Sequence, residues 1–148
     1  MNKKGFTLVE LLAVIALIAI LSGLAVTNVL SSINNSKKNT FLMDAKRMVS
    51  KAEYLIAMNK EDRQLALTSS KIYTFVDLNE KGEFAKDADD GSFDSSSFVM
   101  VSKSGTSYSY CICVIGSKRK IGDNCNSSTG TGCVLSTTLS GIDIVSDK

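Results

Sequence analysis

The feature that most constrains this chain is an apolar run near its N-terminus that contains a single charge. From Phe6 to Leu30 the only formally charged side chain is Glu10. As an α-helix, these 25 residues would be about 37 Å long, which exceeds the roughly 30 Å of a bilayer's hydrocarbon core. Lys3 and Lys4 precede the run, and positive flanks stay on the cytoplasmic side. The run therefore predicts a membrane-spanning helix whose N-terminus faces the cytoplasm.

The carboxylate inside this run separates three interpretations. A secretory signal peptide would explain the basic start and a small-residue cleavage site at Gly23-Leu24-Ala25, but Glu10 interrupts the part that should be purely apolar. In a plain membrane anchor, Glu10 would reach the nearby interface. In a helix packed against copies of itself, a partner would neutralise Glu10, because an unpaired charge in hydrocarbon costs a few kcal/mol.

The residues around Glu10 also carry a family resemblance. The stretch KKGFTLVELLAVIALIAIL, residues 3–21, resembles the N-terminus of type IV pilins and pseudopilins. In that family a basic leader ends in Gly, and Phe opens an apolar helix that has Glu at its fifth position. Gly5, Phe6 and Glu10 occupy those three positions here. The resemblance implies cleavage between Gly5 and Phe6 by a membrane-embedded prepilin peptidase, which also methylates the new Phe6 amine.

Such processing would give Glu10 a partner. Cleavage after Gly5 creates a positively charged amine on Phe6, and a neighbouring subunit could present that amine to Glu10. The pair recovers its desolvation cost only when the two charges are close, so it would favour assembly in one register. The expected assembly is a helical homopolymer, built by a membrane assembly platform from precursors held in the lipid bilayer.

The chain departs from the family pattern because it contains no Pro, whereas many members have one in this helix. Ser22-Gly23 is the weakest point of the run, since Gly costs about 1 kcal/mol relative to Ala inside a helix. Gly23 is consistent with two alternatives. Residues 23–28 could melt in a filament, or Gly23 could permit close packing of neighbouring helices.

The sequence divides into four predicted parts, which are a leader (residues 1–5), an apolar helix (6–30), an amphipathic helix (31–59) and a β-rich head (60–148). The amphipathic part has an apolar stripe at helical spacing, formed by Phe41, Ala45, Met48, Ala52, Leu55 and Ile56. This stripe predicts the face that packs on the head. We expect one helix over residues 6–59, although the Ser- and Asn-rich stretch also permits a break near Asn34-Asn35.

The head is predicted to contain an antiparallel hairpin. Residues 97–102 and 108–115 are rich in β-forming residues, and a Gly-containing turn at 103–107 separates them. A further strand is expected within residues 133–145, whereas the segment 71–84 suits either a loop or a short helix. The predicted fold class is therefore α+β, with a long N-terminal helix packed against a small antiparallel sheet.

The four cysteines, Cys111, Cys113, Cys125 and Cys133, predict disulfides, because clustered and even-numbered Cys are typical of exported domains. Cys111 and Cys113 lie on one face of a strand, so each is expected to bond to Cys125 or Cys133. A nested pairing (111–133 and 113–125) suits antiparallel neighbours, and the crossed pairing stays open. A zinc site is the alternative, but the usual C-x₂-C spacing is missing.

Composition argues against enzymes and nucleic-acid binders. The chain contains no His, which removes the commonest general base and metal ligand, so no catalytic residue, metal or cofactor is predicted. Lys and Arg number 17 against 15 Asp and Glu, and a nucleic-acid partner would require a clustered basic surplus. The acidic segment 86–97 is expected to be a solvated loop rather than a calcium site, and the basic segment 116–122 an exposed patch.

The predicted function is that of a structural subunit of a type IV pilus, a surface filament for adhesion, twitching motility or uptake. The resemblance implies a precursor in the cytoplasmic membrane and then a polymer outside the cell. A pseudopilin of a type II secretion or competence system and a monomeric membrane-anchored binding module are the alternatives.

Overall fold

The computed structural model describes residues 6–139 and 144–146, and within them the side-chain surroundings of residues 24–28, 104, 145 and 146 are not described. The predicted leader, residues 1–5, therefore lies outside the described residues. The chain forms two compact units, Met1–Ser36 and Lys37–Lys148. The predicted boundaries at residues 30 and 59, which separate the apolar helix, the amphipathic helix and the head, mark changes of polarity along the sequence. They stay predictions.

The first helix, α1, spans Leu8–Met58 without interruption. The prediction of one long helix is thus confirmed, and the alternative break near Asn34-Asn35 is wrong. The helix ends where Asn59 adopts an extended conformation (φ −100°, ψ 114°). Asn59 Oδ1 accepts hydrogen bonds from the backbone N–H groups of Glu61 and Asp62, which caps a second helix. This helix, α2, spans Lys60–Thr68 and is absent from the sequence prediction.

The described strands form one antiparallel sheet. They are β1 (Lys71–Thr74), β2 (Phe98–Ser104), β3 (Ser107–Ile115), β4 (Arg119–Ile121), β5 (Val134–Leu135) and β6 (Ile144–Ser146). Their order in the sheet is β1-β2-β3-β4-β6, and β5 pairs with β3. A short helix, α3 (Phe75–Leu78), follows β1, and a 3₁₀ turn (Ser136–Thr138) follows β5. The ambiguous segment 71–84 thus contains both a strand and a short helix.

The predicted hairpin is confirmed by the pairing of β2 with β3. Their register places Phe98 opposite Cys113 and Val101 opposite Tyr110. Gly105 opens the two-residue connection with φ 64°, a left-handed conformation that tight hairpin turns require at this position and that Gly adopts without steric cost. The turn therefore fixes the register of the strands that form the centre of the sheet.

The core of the Lys37–Lys148 unit lies between α1 and the sheet. The predicted stripe is confirmed: its members are buried, except that Leu55 is half-buried. The opposing layer consists of alternate residues of β2 and β3, namely Val99, Val101, Ile112 and Val114. Each large aliphatic or aromatic side chain that is fully buried contributes about 1.5–3 kcal/mol. This packing confirms the α+β fold class.

The acidic segment 86–97 is only partly solvated, which corrects the prediction in part: several of its side chains are exposed, but Asp87, Phe93 and Ser97 are buried. Asp87 is buried, and its Oδ1 accepts hydrogen bonds from the N–H groups of Asp89 and Gly91 at 2.9 Å each. The N–H of Ser117 donates to Asp87 Oδ2. Burial alone would raise the pKa of Asp87, but these hydrogen bonds outweigh it and hold the pKa below its usual value. Asp87 thus anchors the segment to the turn before β4.

The basic segment 116–122 also differs from the predicted exposed patch, because Arg119 on β4 is buried. Its Nε donates to Asp89 Oδ2 at 2.7 Å, and Lys37 Nζ lies 3.2 Å from Asp89 Oδ1. Buried charges require such partners. The guanidinium therefore ties β4 to the acidic segment instead of facing solvent.

Candidate functional site

The candidate site lies at the start of α1, where Thr7 and Glu10 form a reciprocal pair. The Thr7 N–H and hydroxyl both donate to Glu10 Oε2, at 2.9 and 2.8 Å, and the Glu10 N–H donates to Thr7 Oγ1 at 3.3 Å. This is a capping box, which satisfies N–H groups that a helix start leaves without partners. The T-x-x-E spacing is a readable sequence signal for it, and Thr7 is the site residue that the sequence analysis misses.

The capping box engages only part of the Glu10 carboxylate. Both Thr7 hydrogen bonds go to Oε2, and Oε1 accepts none from the described part of the chain. The Glu10 side chain is also exposed. The carboxylate can therefore keep its local bonds while a cation from outside the chain approaches Oε1.

Phe6 directly precedes the capping box, and its side chain is 82% exposed. Gly5 lies outside the described residues, so the structure gives no geometry for the bond between them. Cleavage at that bond and methylation of the Phe6 amine stay predictions.

The first turns of α1 expose apolar side chains on all sides. Among the described side chains of residues 8–33, the large apolar ones that are between 46% and 77% exposed are Leu8, Val9, Leu11, Leu12, Val14, Ile15, Leu17, Ile18, Ile20, Leu21, Val29, Leu30 and Ile33. A helix that is apolar all round needs a cover of lipid or protein. The predicted span over residues 6–30 includes residues 24–28, whose side chains are not described. Within the described residues, no helix is both long enough and apolar enough to cross a membrane.

The cysteines form two disulfides in the Lys37–Lys148 unit. Cys111 is bonded to Cys133, with their Cα atoms 5.4 Å apart, and Cys113 to Cys125, with their Cα atoms 5.8 Å apart. This is the nested arrangement, and it leaves no thiolate for the alternative zinc site. The inner bond closes a loop that contains β4, and the outer bond holds the start of β5 against β3.

Comparison with known families identifies the N-terminal motif. Residues 1–26, about a sixth of the chain, match the family model of the prokaryotic N-terminal methylation motif. This motif is the prepilin-type signal of type IV pilins and pseudopilins, so the resemblance based on Gly5, Phe6 and Glu10 is confirmed. The chain therefore carries the signal of a pilin-like or pseudopilin precursor, a structural and non-enzymatic class of protein. No curated protein and no solved structure matches the chain.

Proposed function

We propose that this chain is a structural subunit of a type IV pilus. The precursor is held in the cytoplasmic membrane by residues 6–30. A prepilin peptidase cuts it between Gly5 and Phe6 and methylates the new amine, and an assembly platform then builds the processed chains into a helical surface filament. The observation that carries this proposal is the start of α1, where a capped carboxylate precedes turns that expose apolar side chains on every side.

Burial of these apolar side chains stabilises both the precursor in the membrane and the subunits in the filament. They are covered by lipid in the precursor and by neighbouring helices in the filament. Removal of apolar surface from water contributes about 25 cal/mol per Å², although within the bilayer close packing between helices contributes instead. Contacts between two different surfaces of successive copies do not close into a ring, so they produce an open helical polymer.

Glu10 gives the polymer its register. The methylated Phe6 amine of a neighbouring subunit would approach Glu10 Oε1 while Thr7 keeps its bonds to Oε2. An ion pair removed from water is favourable only when its geometry is close and its remaining atoms are hydrogen-bonded. The capping box already hydrogen-bonds Oε2, so the second of these conditions is met before assembly. A neighbour shifted by one helical turn would not bring its amine to Oε1, and it would therefore bind less strongly.

The head forms the outer surface in this proposal. Two disulfides suit a domain exposed outside the cytoplasm, and residues 60–148 would carry most of the solvent-facing area. Adhesion, twitching motility or uptake are the uses that such a filament would serve.

Two substitutions of Glu10 separate its charge from its capping role. Glu10→Gln keeps an acceptor for Thr7, since Gln also completes a capping box, whereas Glu10→Ala removes both. We expect both variants to be inserted and cut like the wild type, and both to lower the yield of sheared surface fibres about tenfold or more, equivalent to at least about 1.4 kcal/mol. Normal fibres from Glu10→Gln would refute the role of the charge. Wild-type assemblies that never reach the cell surface would point to a pseudopilin instead.

A further inference from the structure

Residues 126–132, between Cys125 and Cys133, form a strap that lies against the sheet. The strap folds back on itself, since an isolated bridge pairs its residues 126 and 131. Gly130 within it is buried, and a Cβ at this position would lie 2.6 Å from Met100 Sδ on β2 and 3.3 Å from Ile72 Cδ1 on β1. The strap is therefore seated on these two apolar side chains.

The outer disulfide, Cys111–Cys133, fastens one end of this strap. Cys111 lies on β3, and Cys133 directly precedes β5, which pairs with β3 at Cys111 and Ile112. Both cysteines are half-buried. Thiol–disulfide exchange requires a thiolate to reach a sulfur, and both residues of the outer bond are partly open to solvent.

The inner disulfide, Cys113–Cys125, is covered by the strap. Cys113 is fully buried, and its Sγ lies 3.2 Å from the carbonyl oxygen of Gly132 in the strap. A Cβ on Gly122 would lie 2.5 Å from the same sulfur, so backbone closes in on it from there as well. The Asp123 N–H donates to the Gly132 oxygen at 2.9 Å, which holds the strap in place. Direct attack on Cys113 is therefore blocked while the strap is closed.

Attack on the other sulfur of the inner bond, Cys125 Sγ, is disfavoured by its leaving group. Cys125 is half-buried, but attack there expels Cys113 as a thiolate in a buried setting. Burial in apolar surroundings raises the pKa of a thiol, and a thiol of high pKa leaves slowly. The closed strap thus protects the inner bond against both routes.

We propose that the two disulfides form a redox lock, in which the outer bond is reduced before the inner one. The electrons come from an external dithiol. Its thiolate attacks one sulfur of Cys111–Cys133, and the other sulfur leaves as a thiolate. The second thiolate of the reductant then breaks the mixed disulfide, so the reductant leaves as a disulfide and its two protons end on the two cysteines. The strap is then free to move away from Cys113, and the same exchange reaches the inner bond.

Opening of the strap changes the surface of the head. Met100 alternates along β2 with the core residues Val99 and Val101, so it faces away from the core. Without the strap, Met100 and Ile72 would be exposed to solvent as an apolar patch. The outer bond is therefore the redox-sensitive element of the head. This inference goes beyond the proposed function, and its test does not require a filament.

Timed reduction of the folded, full-length chain in detergent tests the order. Samples taken during treatment with dithiothreitol are quenched with N-ethylmaleimide, and mass spectrometry of peptides locates the labels. We expect every chain with two labels to carry them on Cys111 and Cys133, and labelling of Cys113 and Cys125 to follow after a lag. Chains labelled first at Cys113 and Cys125 would overturn the lock.

Paired variants measure the coupling in each direction. Cys111→Ala with Cys133→Ala removes the lock, so the inner bond should lose its lag and be reduced about twofold or more faster than in the wild type. Cys113→Ala with Cys125→Ala should change the half-time of the outer bond by less than about twofold. An unchanged half-time of the inner bond in the first variant, or an equal acceleration of both bonds, would contradict the lock.

Asp87→Asn controls for general loosening of the head, because Asp87 holds the turn before β4 and not the strap. This variant should keep the wild-type order of labelling, and loss of that order would show that the inner bond opens by general unfolding. If the first paired variant does not fold, Gly130→Ala replaces it. Its Cβ would collide with Met100 and unseat the strap with all four cysteines present, and it should accelerate reduction of the inner bond to the same extent.

Discussion

Thr7 and Glu10 lie three residues apart and hold each other at the start of α1, with the Thr7 hydroxyl 2.8 Å and the Thr7 nitrogen 2.9 Å from the same carboxylate oxygen. The only charge in the apolar run is therefore already hydrogen-bonded within its own chain. The carboxylate begins the helix and, in the proposed filament, also receives the neighbour's amine. These two tasks use different oxygens of one side chain.

Thr7→Val should loosen the start of α1 and thereby weaken the presentation of Glu10. It removes the hydroxyl that donates to Glu10 Oε2 and accepts from the Glu10 N–H, and loss of such a cap costs about 1 kcal/mol. Hydrogen exchange on the full-length chain in detergent should show the Glu10 amide exchanging about fivefold faster. Thr7→Ser keeps the hydroxyl and should exchange like the wild type. Equal protection in Thr7→Val would contradict the capping box.

Asp87→Asn should destabilise the Lys37–Lys148 unit in a pH-dependent way. The folded state lowers the pKa of Asp87, so the unfolded chain takes up the proton first as the pH falls. The contribution of Asp87 is therefore complete above the unfolded pKa of about 4 and is lost as the pH falls through the lower folded pKa. At pH 7 we expect Asp87→Asn to lower the free energy of unfolding by about 2 kcal/mol.

Urea unfolding of the full-length chain in detergent, at neutral and at acidic pH, checks this prediction. The difference between wild type and Asp87→Asn should shrink as the pH falls below about 4. Asp123→Asn is the matched control, because that carboxylate is exposed and pairs only with Lys120 among the described ion pairs. A difference that stays constant across this range would show that the Asp87 charge does not stabilise the fold.

Paired removal of cysteines should distinguish the nested from the crossed disulfides. Cys111→Ala with Cys133→Ala should leave no free thiol, and it should cost about 3 kcal/mol of unfolding free energy. Cys111→Ala with Cys125→Ala should instead strand Cys113 and Cys133, which would react with a thiol reagent after denaturation. Reactive thiols in Cys111→Ala with Cys133→Ala, and none in Cys111→Ala with Cys125→Ala, would show that the crossed pairing is present.

The parts of the fold that follow from local periodicity could be predicted from the sequence. The spacing of Phe41, Ala45 and Met48 predicts a helical stripe. Two runs of β-forming residues on either side of a turn that contains Gly105 predict the β2–β3 hairpin. The N-terminal motif was readable because Gly5, Phe6 and Glu10 stand at fixed offsets. Thr7 was equally readable, since a capping box depends only on residues three apart.

The parts that depend on distant contacts could not be predicted in this way. Arg119 looks like an exposed charge in its own segment, and its burial depends on Asp89, which lies 30 residues earlier in the chain. Strand β4 has only three residues, too few for alternation to show. Asp87 is packed because Ser117 donates to it from another loop. In each case the deciding partner comes from tertiary structure.

The most direct test of the central claim is mass spectrometry of the N-terminal peptide of the chain purified from cell membranes and from sheared surface fibres. The account predicts a mature chain that begins at Phe6 and carries one added methyl group on its amine, with Glu10 unmodified. Fibres built from chains that retain Met1, or a mature chain cut after Ala25, would contradict it.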